Sequence, residues 1–145
     1  MIKKANVFEY RDIHVGQKAE FSIVVTEEMV NKFAELTGDF NPLHTDEKYA
    51  GQTKFKGKLA HGMLAASFFS TLVGMYCPGE KNLYLSQNLQ FKSPLRANDP
   101  IKVVGEITQK VDSLKIISIK TTIYNEKNNS IIINGEAKVM VREDA

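Results

Sequence analysis

The second half of the chain alternates between apolar and polar residues with a period of two. The alternation covers residues 83–91, 101–108, 117–123 and 131–141, and it is typical of strands that bury one face and expose the other to water. The links around 110–113 and 125–130 are too short for crossover helices. The four segments are therefore expected to pair as antiparallel hairpins.

The alternation also predicts which side chains share a face. In the first segment Tyr84 is expected on the polar face, together with Ser86, Asn88 and Gln90. The apolar residues expected on the opposite, core-facing side of the four segments are Leu83, Leu85, Leu89, Phe91, Ile101, Val103, Ile107, Ile117, Ile119, Ile123, Ile131, Ile133, Ala137, Val139 and Val141.

The first half of the chain mixes one strand with helices. Residues 17–25 predict a short strand. Thr26 and the two glutamates after it have the form of a helix N-cap, and apolar residues then recur at helical spacing, so a helix is predicted over 27–36. Gly38 ends this helix and opens a loop over 38–44 that is dense in turn-forming residues. Residues 46–50 are expected to add a helical turn, and 51–58 a mobile surface loop.

Residues 59–76 form the most apolar stretch of the chain and contain no charged side chain. A membrane span needs about 20 apolar residues, whereas Ser67, Ser70, Thr71 and two glycines interrupt this stretch, so a buried central helix is predicted instead. A helix that is apolar on every face must be enclosed by a sheet, with or without help from a second subunit. The expected fold class is α+β, with an antiparallel sheet closed around this helix.

Length and composition narrow the choice of function. With 145 residues, of which 43% are hydrophobic and 25% charged, the chain is expected to fold as a single domain over residues 1–145. The net charge of +2 is spread along the chain without a basic stripe, which disfavours nucleic acid as a partner. A single cysteine, and an N-terminal segment without an apolar signal region, indicate the cytoplasm.

Two short motifs contain the residues suited to chemistry. The loop reads Gly38-Asp39-Phe40-Asn41-Pro42-Leu43-His44, and His61-Gly62-Met63 follows seventeen residues later. A carboxylate and an imidazole on one rigid loop can share general acid–base work through one water molecule. The chain has no Cys/His cluster with metal-ligand spacing, so neither a metal nor a cofactor is expected.

These motifs resemble the signature of the MaoC-type family of (R)-specific enoyl-CoA hydratases, and the resemblance extends to Tyr84-Leu85 and to residues 90–94. It implies a hot-dog fold, in which a long antiparallel sheet wraps around a central helix. It also implies syn addition of water to a trans-2-enoyl thioester, or the reverse dehydration of a 3-hydroxyacyl-CoA. The implied partners are an acyl-CoA or acyl-carrier-protein thioester and a second copy of the chain, because the family builds its active site between subunits.

The resemblance assigns roles residue by residue. It implies that Asp39 and His44 form the catalytic pair that holds and activates the water, and that Asn41 orders the loop. A serine further along the central helix also lines the site in this family, and the spacing matches it to Ser70. The residues expected to bind the substrate are Asn41, His61, Ser70 and Tyr84.

Gly62 is a further catalytic candidate because it lies at the start of the central helix. The N–H of a first-turn residue has no partner within its helix, and the helix dipole favours negative charge beside it. The thioester carbonyl gains negative charge as an enolate forms, so this N–H is expected to polarise it. The missing Cβ lets the carbonyl approach closely.

Each of these residues also has a structural interpretation. Asp39 can cap backbone N–H groups while His44 packs or faces solvent, and Ser70 can bond back to its own helix. His61 suits a hydrogen-bonded structural residue as well as a substrate contact. Cys77 has no paired base nearby in sequence and is expected to be inert. For the whole chain, the alternative functions are a hot-dog acyl-CoA thioesterase and a non-catalytic acyl-thioester-binding domain.

Overall fold

The computed structural model describes residues 1–144 and contains one six-stranded sheet. Its strands are β1 (Lys18–Val24), β2 (Asn82–Gln87), β3 (Gln90–Phe91), β4 (Pro100–Val111), β5 (Ile116–Asn125) and β6 (Ile131–Val141). They lie in the order β1-β4-β5-β6-β2, with β3 also paired to β6. All the pairings are antiparallel, which confirms the predicted hairpins.

Four α-helices connect the first strand to the rest of the sheet. They are α1 (Glu27–Thr37), α2 (Pro42–Thr45), α3 (Glu47–Gly51) and α4 (Gly62–Thr71). The Thr26 side chain accepts a hydrogen bond from the Met29 N–H and begins α1 as predicted. Gly38 ends α1 in the left-handed conformation, with φ +80°, where a residue without Cβ is favoured. Both caps are local, so the sequence signals for them were sufficient.

Helix α4 forms the core together with the sheet. Leu64, Ala65 and Phe69 belong to the same buried cluster as Ile101 and Ile123 of β4 and β5, which confirms the α+β architecture. The helix begins at Gly62, as the sequence predicted, and a π-helical turn over Leu72–Tyr76 continues it. Within residues 1–144, none of the helices has the length and apolar character needed to cross a bilayer.

One face of α4 is not covered by the sheet. Met63 is 57% exposed, and Ser67 and Ser70, four and seven residues further along, are also exposed. Because residues at this spacing share one side of a helix, they form a strip open to solvent in the isolated chain. Of the two alternatives that the sequence left open, the sheet alone does not enclose the helix along this strip.

The prediction of a single strand over 83–91 was wrong. The chain breaks at residues 88 and 89 into β2 and the two-residue β3, and the pairing of β2 with β6 slips between Tyr84 and Ser86. Tyr84 points inward, while Leu83 and Leu85 are 48% and 46% exposed. The reason is that β2 is the edge strand of the sheet, where few neighbours fix which face is buried.

The predicted faces of β4, β5 and most of β6 were correct. Ile101, Val103, Ile119 and Val139 are each at most 2% exposed. Ile131 is the exception, at 37% exposed, because the pairing of β5 with β6 is irregular after Ile123. An irregularity of this kind inserts one residue and reverses the faces beyond it, so the neighbouring Ile132 enters the core instead.

Candidate active site

The loop between α1 and α2 is held by its own side chains. Asp39 Oδ1 accepts a hydrogen bond from the Asn41 N–H at 3.2 Å, and Asn41 Oδ1 accepts one from the Leu43 N–H at 3.0 Å. Asn41 thereby caps α2, whose first residue is Pro42. Asn41 thus has the loop-ordering contacts expected of it. The capping interpretation of Asp39 also holds for one of its two oxygens.

The second oxygen of Asp39 is directed toward the histidines. The Asp39 side chain is 49% exposed, and its Oδ2 lies 3.9 Å from Nε2 of His61. One side-chain atom from each of Asp39, His44 and His61 lies within 4.8 Å of the other two. The two motifs that are seventeen residues apart in sequence therefore meet at one point of the fold.

A backbone carbonyl fixes the orientation of His44. Its Nδ1 lies 2.8 Å from the carbonyl oxygen of Leu59, and because a carbonyl only accepts hydrogen bonds, Nδ1 must carry the proton. In the neutral imidazole Nε2 then has the free lone pair, which is the state that a general base requires. The side chain is partly buried, so one side of the ring is open to solvent.

His61 lies behind His44 rather than in the open cleft. It is 2% exposed, and its ring stacks on the His44 ring with centroids 4.0 Å apart and planes 29° apart. Phe33 packs on it as well, with centroids 4.8 Å apart. The sequence did not indicate this role of Phe33, because its place in the apolar pattern of α1 is that of an ordinary core residue.

Gly62 is the first residue of α4, and the ring of Phe91 packs closely against it. A Cβ at this position would lie 2.8 Å from the Phe91 ring, so a larger side chain here displaces that ring. The N–H of Gly62 is the first in its helix and has no acceptor within it. Phe91 was expected in the core, but its side chain is 53% exposed and covers Gly62.

Two clefts adjoin the start of α4. The first, of about 390 Å³, is lined by His44, Phe55, Leu59, Ala60, Gly62, Phe91, Lys92, Ser93, Pro94, Leu95 and Ile132. The second, of about 410 Å³, is lined by Phe33, Met63, Ala66, Ser67, Phe69, Ser70, Tyr84, Gln87 and Leu89. Gly62 lines the first and Met63 the second, so consecutive residues at the start of α4 line the two clefts.

Four of the predicted site residues line these clefts, whereas Asp39, Asn41 and His61 line neither. His44 and Gly62 line the first, whereas Ser70 and Tyr84 line the second. Tyr84 donates a hydrogen bond to Gln87, and burial raises the pKa of Tyr84 to about 12, so the phenol stays protonated at neutral pH. Ser70 has an exposed side chain on the open strip of α4.

The loop over 51–58, predicted to be a polar surface segment, contributes to the first cleft. Phe55 lines the cleft and is partly buried, and Arg96 holds the loop by donating a hydrogen bond to the Phe55 carbonyl. Lys92 lines the same cleft. The first cleft therefore has an apolar wall with a cation beside it.

The cluster of Asp39, His44 and His61 has the residue types of a metal site. Its hydrogen bonds commit one nitrogen of each ring to a backbone carbonyl, which suits acid–base chemistry by the remaining groups. Nε2 of His61 lies 3.0 Å from the Asp39 carbonyl oxygen, and a nitrogen that donates to a carbonyl has no lone pair for a metal. The same holds for Nδ1 of His44. Burial raises the pKa of the Cys77 thiol to about 11, which agrees with its expected inertness.

Comparison with known proteins extends over most of the chain. The family model described as "MaoC like domain" matches residues 12–129. The chain is 38% identical to an (R)-specific enoyl-CoA hydratase from Rhodospirillum rubrum, covering 91% of this chain and 90% of that protein. It is also 38% identical to the enzyme of the same name from Aeromonas caviae, covering 89% and 96%.

Solved structures agree with the sequence matches. The R-hydratase PhaJ1 from Pseudomonas aeruginosa, in the unliganded form, superposes with a TM-score of 0.88 at 35% identity, over 93% of this chain and 86% of that chain. The (R)-hydratase from Aeromonas caviae superposes with a TM-score of 0.87 at 37% identity, over 90% and 98%. These likenesses confirm the predicted hot-dog fold. The chain belongs to the MaoC-like domain family.

Proposed function

We propose that this chain is an (R)-specific enoyl-CoA hydratase, a hydro-lyase that also catalyses the reverse dehydration of 3-hydroxyacyl-CoA. The observation that carries the proposal is the meeting of Asp39 Oδ2 with the histidines beside the free N–H of Gly62. The names of the relatives agree with the activity expected from the sequence. A third relative, 30% identical, is named 3-hydroxybutyryl-CoA dehydratase and comes from Methylorubrum extorquens.

The geometry suggests how water is added. A water held between Asp39 Oδ2 and Nε2 of His44 loses a proton to this pair as its oxygen forms a bond with C3 of the enoyl thioester. The electrons move onto the thioester carbonyl, and the Gly62 N–H stabilises the resulting enolate. The pair then returns a proton to C2. Because one pair of groups handles both protons, water adds to one face of the double bond.

The two clefts fit the two ends of an acyl-CoA. A thioester carbonyl that lies over Gly62 would have one end of the molecule in each cleft. The first cleft contains Lys92, which suits the phosphate-bearing end of CoA. The second is mainly apolar and contains Phe33 and Phe69, which suits the acyl chain. In this arrangement Ser70 and Tyr84 line the acyl end.

A direct assay tests the reaction class. With crotonyl-CoA and with a longer enoyl-CoA, we expect loss of the conjugated double bond and formation of the (R)-3-hydroxyacyl-CoA. A thioesterase would instead release free thiol from a saturated acyl-CoA. Thiol release without hydration would overturn the proposal in favour of the thioesterase, and binding of acyl-CoA without either reaction would favour a binding domain.

The proposed enzyme acts as a homodimer joined through β2. Strand β2 is an edge of the sheet, Leu83 and Leu85 on it are about half exposed, and the strip of α4 that includes Met63 is open. A second copy pairing edge to edge would cover these surfaces, with an interface above about 1,000 Å².

The buried, unpaired thiol of Cys77 is consistent with the cytoplasmic location proposed from the sequence.

The dimer makes a measurable prediction. Light scattering of the purified chain at micromolar concentration should give twice the 16.3 kDa of one chain. Replacing Leu83 and Leu85 together by Asp should give monomers, because a symmetric pairing brings the new charges close to one another. The matched control is Val24→Asp, at a 44% exposed position on the opposite edge strand. An active preparation that contains only the monomer would rule the dimer out.

A further inference from the structure

His61 makes contacts with both members of the catalytic pair. Its Nε2 donates a hydrogen bond to the Asp39 carbonyl oxygen at 3.0 Å. Its ring stacks on that of His44, with centroids 4.0 Å apart. The two contacts use different parts of the side chain, the edge of the ring for Asp39 and the face of the ring for His44.

We infer that His61 is a positioning residue for hydration, which fixes Asp39 through its backbone and His44 through its ring so that both groups reach one water. This role rests on the proposed function. It differs from the substrate contact expected from the sequence, because a side chain that is 2% exposed has almost no surface to offer a ligand. His61 acts on the substrate only through the two residues it holds.

The hydrogen bonding of His61 is unusual for a residue that serves packing alone. Its Nδ1 is buried and has no hydrogen-bond partner among residues 1–144. A buried nitrogen without a partner destabilises the fold, and Phe or Met would fill the same space without that cost. The presence of an imidazole at position 61 is therefore best explained by the hydrogen bond that Nε2 donates to Asp39 and by the stacking of the ring on His44.

The stack also suits the chemistry of His44. In the proposed reaction His44 gains a proton, and the π-face of an aromatic ring attracts a neighbouring cation. Nδ1 of His44 is held by the Leu59 carbonyl, so the ring is fixed at one edge by a hydrogen bond and on one face by His61. Phe33 packs on His61 and holds it in turn. The free Nε2 of a ring fixed in this way keeps one position relative to the reacting water.

Two substitutions separate the two contacts. His61→Gln keeps an N–H donor near the Nε2 position but removes the ring, whereas His61→Phe keeps a ring for stacking but removes the donor. Each is expected to lower kcat for crotonyl-CoA hydration by about ten- to a hundredfold, since small displacements of reacting groups have effects of this size. KM should stay within about threefold. Melting of His61→Phe should not fall, because that variant also removes the unpartnered nitrogen.

Matched controls are available at the exposed histidine. His14→Gln and His14→Phe make the same chemical changes at an exposed position on the N-terminal segment, and they should leave kcat and KM unchanged. Normal kcat in both His61 variants would overturn the positioning role. A raised KM with normal kcat would also overturn it, in favour of direct contact with the substrate.

A spectroscopic measurement keeps this inference separable from the reaction itself. The chain has three histidines, so nitrogen NMR of the substrate-free protein can resolve the tautomer of each ring. We expect His44 to carry its proton on Nδ1 in the wild type and in His61→Phe, which keeps a stacked ring, and to show mixed tautomers or exchange broadening in His61→Gln. If the wild type fails to hydrate enoyl-CoA, these changes would still support positioning of His44. An unchanged His44 signal in His61→Gln would overturn it.

Discussion

Asp39→Asn and His44→Ala are each expected to lower the turnover for enoyl-CoA hydration by at least about a hundredfold, because each removes a positioned acid–base group. Stability should change little. Asn at position 39 keeps an oxygen that can accept the Asn41 N–H, which Asp39 Oδ1 accepts at 3.2 Å, so the turn is preserved while the charge is lost. The measurements are steady-state kinetics with crotonyl-CoA and thermal melting of each variant.

His44 allows a sharper control. His44→Ala removes both ring nitrogens, whereas the side-chain amide of His44→Asn can still donate to the Leu59 carbonyl, which Nδ1 contacts at 2.8 Å. We expect His44→Asn to melt like the wild type and to be as inactive as His44→Ala, because neither variant has the lone pair of Nε2. If His44→Asn recovers activity, the contact with the Leu59 carbonyl is what hydration requires of this residue, and a base at Nε2 is not required.

The double variant tests whether the two groups act on one water. Asp39→Asn combined with His44→Ala should be hardly slower than the slower single variant, since removing either member already disables the unit. If the two groups acted independently, the fold losses in turnover of the two single variants would instead multiply in the double variant. If a single variant keeps substantial activity with a normal melting curve, or if activity is lost only through unfolding, the catalytic assignment fails and the turn-capping role of Asp39 replaces it.

The parts of the site that the sequence predicted well are those fixed by local interactions. The cap at Thr26 and the left-handed residue Gly38 each depend on residues within a few positions, whereas the segment predicted as a loop over 38–44 also contains the start of the short helix α2. Their signals can be read from the chain because the hydrogen bonds run between near neighbours. The sequence therefore placed both ends of α1, and the beginning of the loop that follows it, correctly before any packing was known.

The features that the sequence predicted poorly depend on contacts between residues that are far apart in the sequence. Tyr84 faces inward because of where β2 pairs with β6, and no alternation within residues 83–91 encodes that register. The burial of His61 follows from the packing of Phe33 and His44 around it. The division of Ser70 and His44 between two clefts likewise depends on how α4 crosses the sheet.

Gly62→Val is expected to lower hydration turnover by about a hundred- to a thousandfold, the usual effect of losing one donor to an oxyanion. The N–H remains in this variant, but the side chain occupies the space that the thioester carbonyl must enter. The structure adds a complication, because a Cβ at this position would lie 2.8 Å from the ring of Phe91. A loss of activity from Gly62→Val alone would therefore have two explanations.

A second substitution separates the blocked carbonyl from the displaced ring. Phe91 is 53% exposed, so Phe91→Ala should fold and leave room for the valine. If Gly62 admits the carbonyl, Gly62→Val combined with Phe91→Ala should stay about a hundredfold below Phe91→Ala, with melting and helix content similar to those of Phe91→Ala. If instead the double variant is as active as Phe91→Ala, or if folded Gly62→Val has near-normal turnover, the N–H of Gly62 plays no part in the reaction and the donor to the enolate must lie elsewhere in the first cleft.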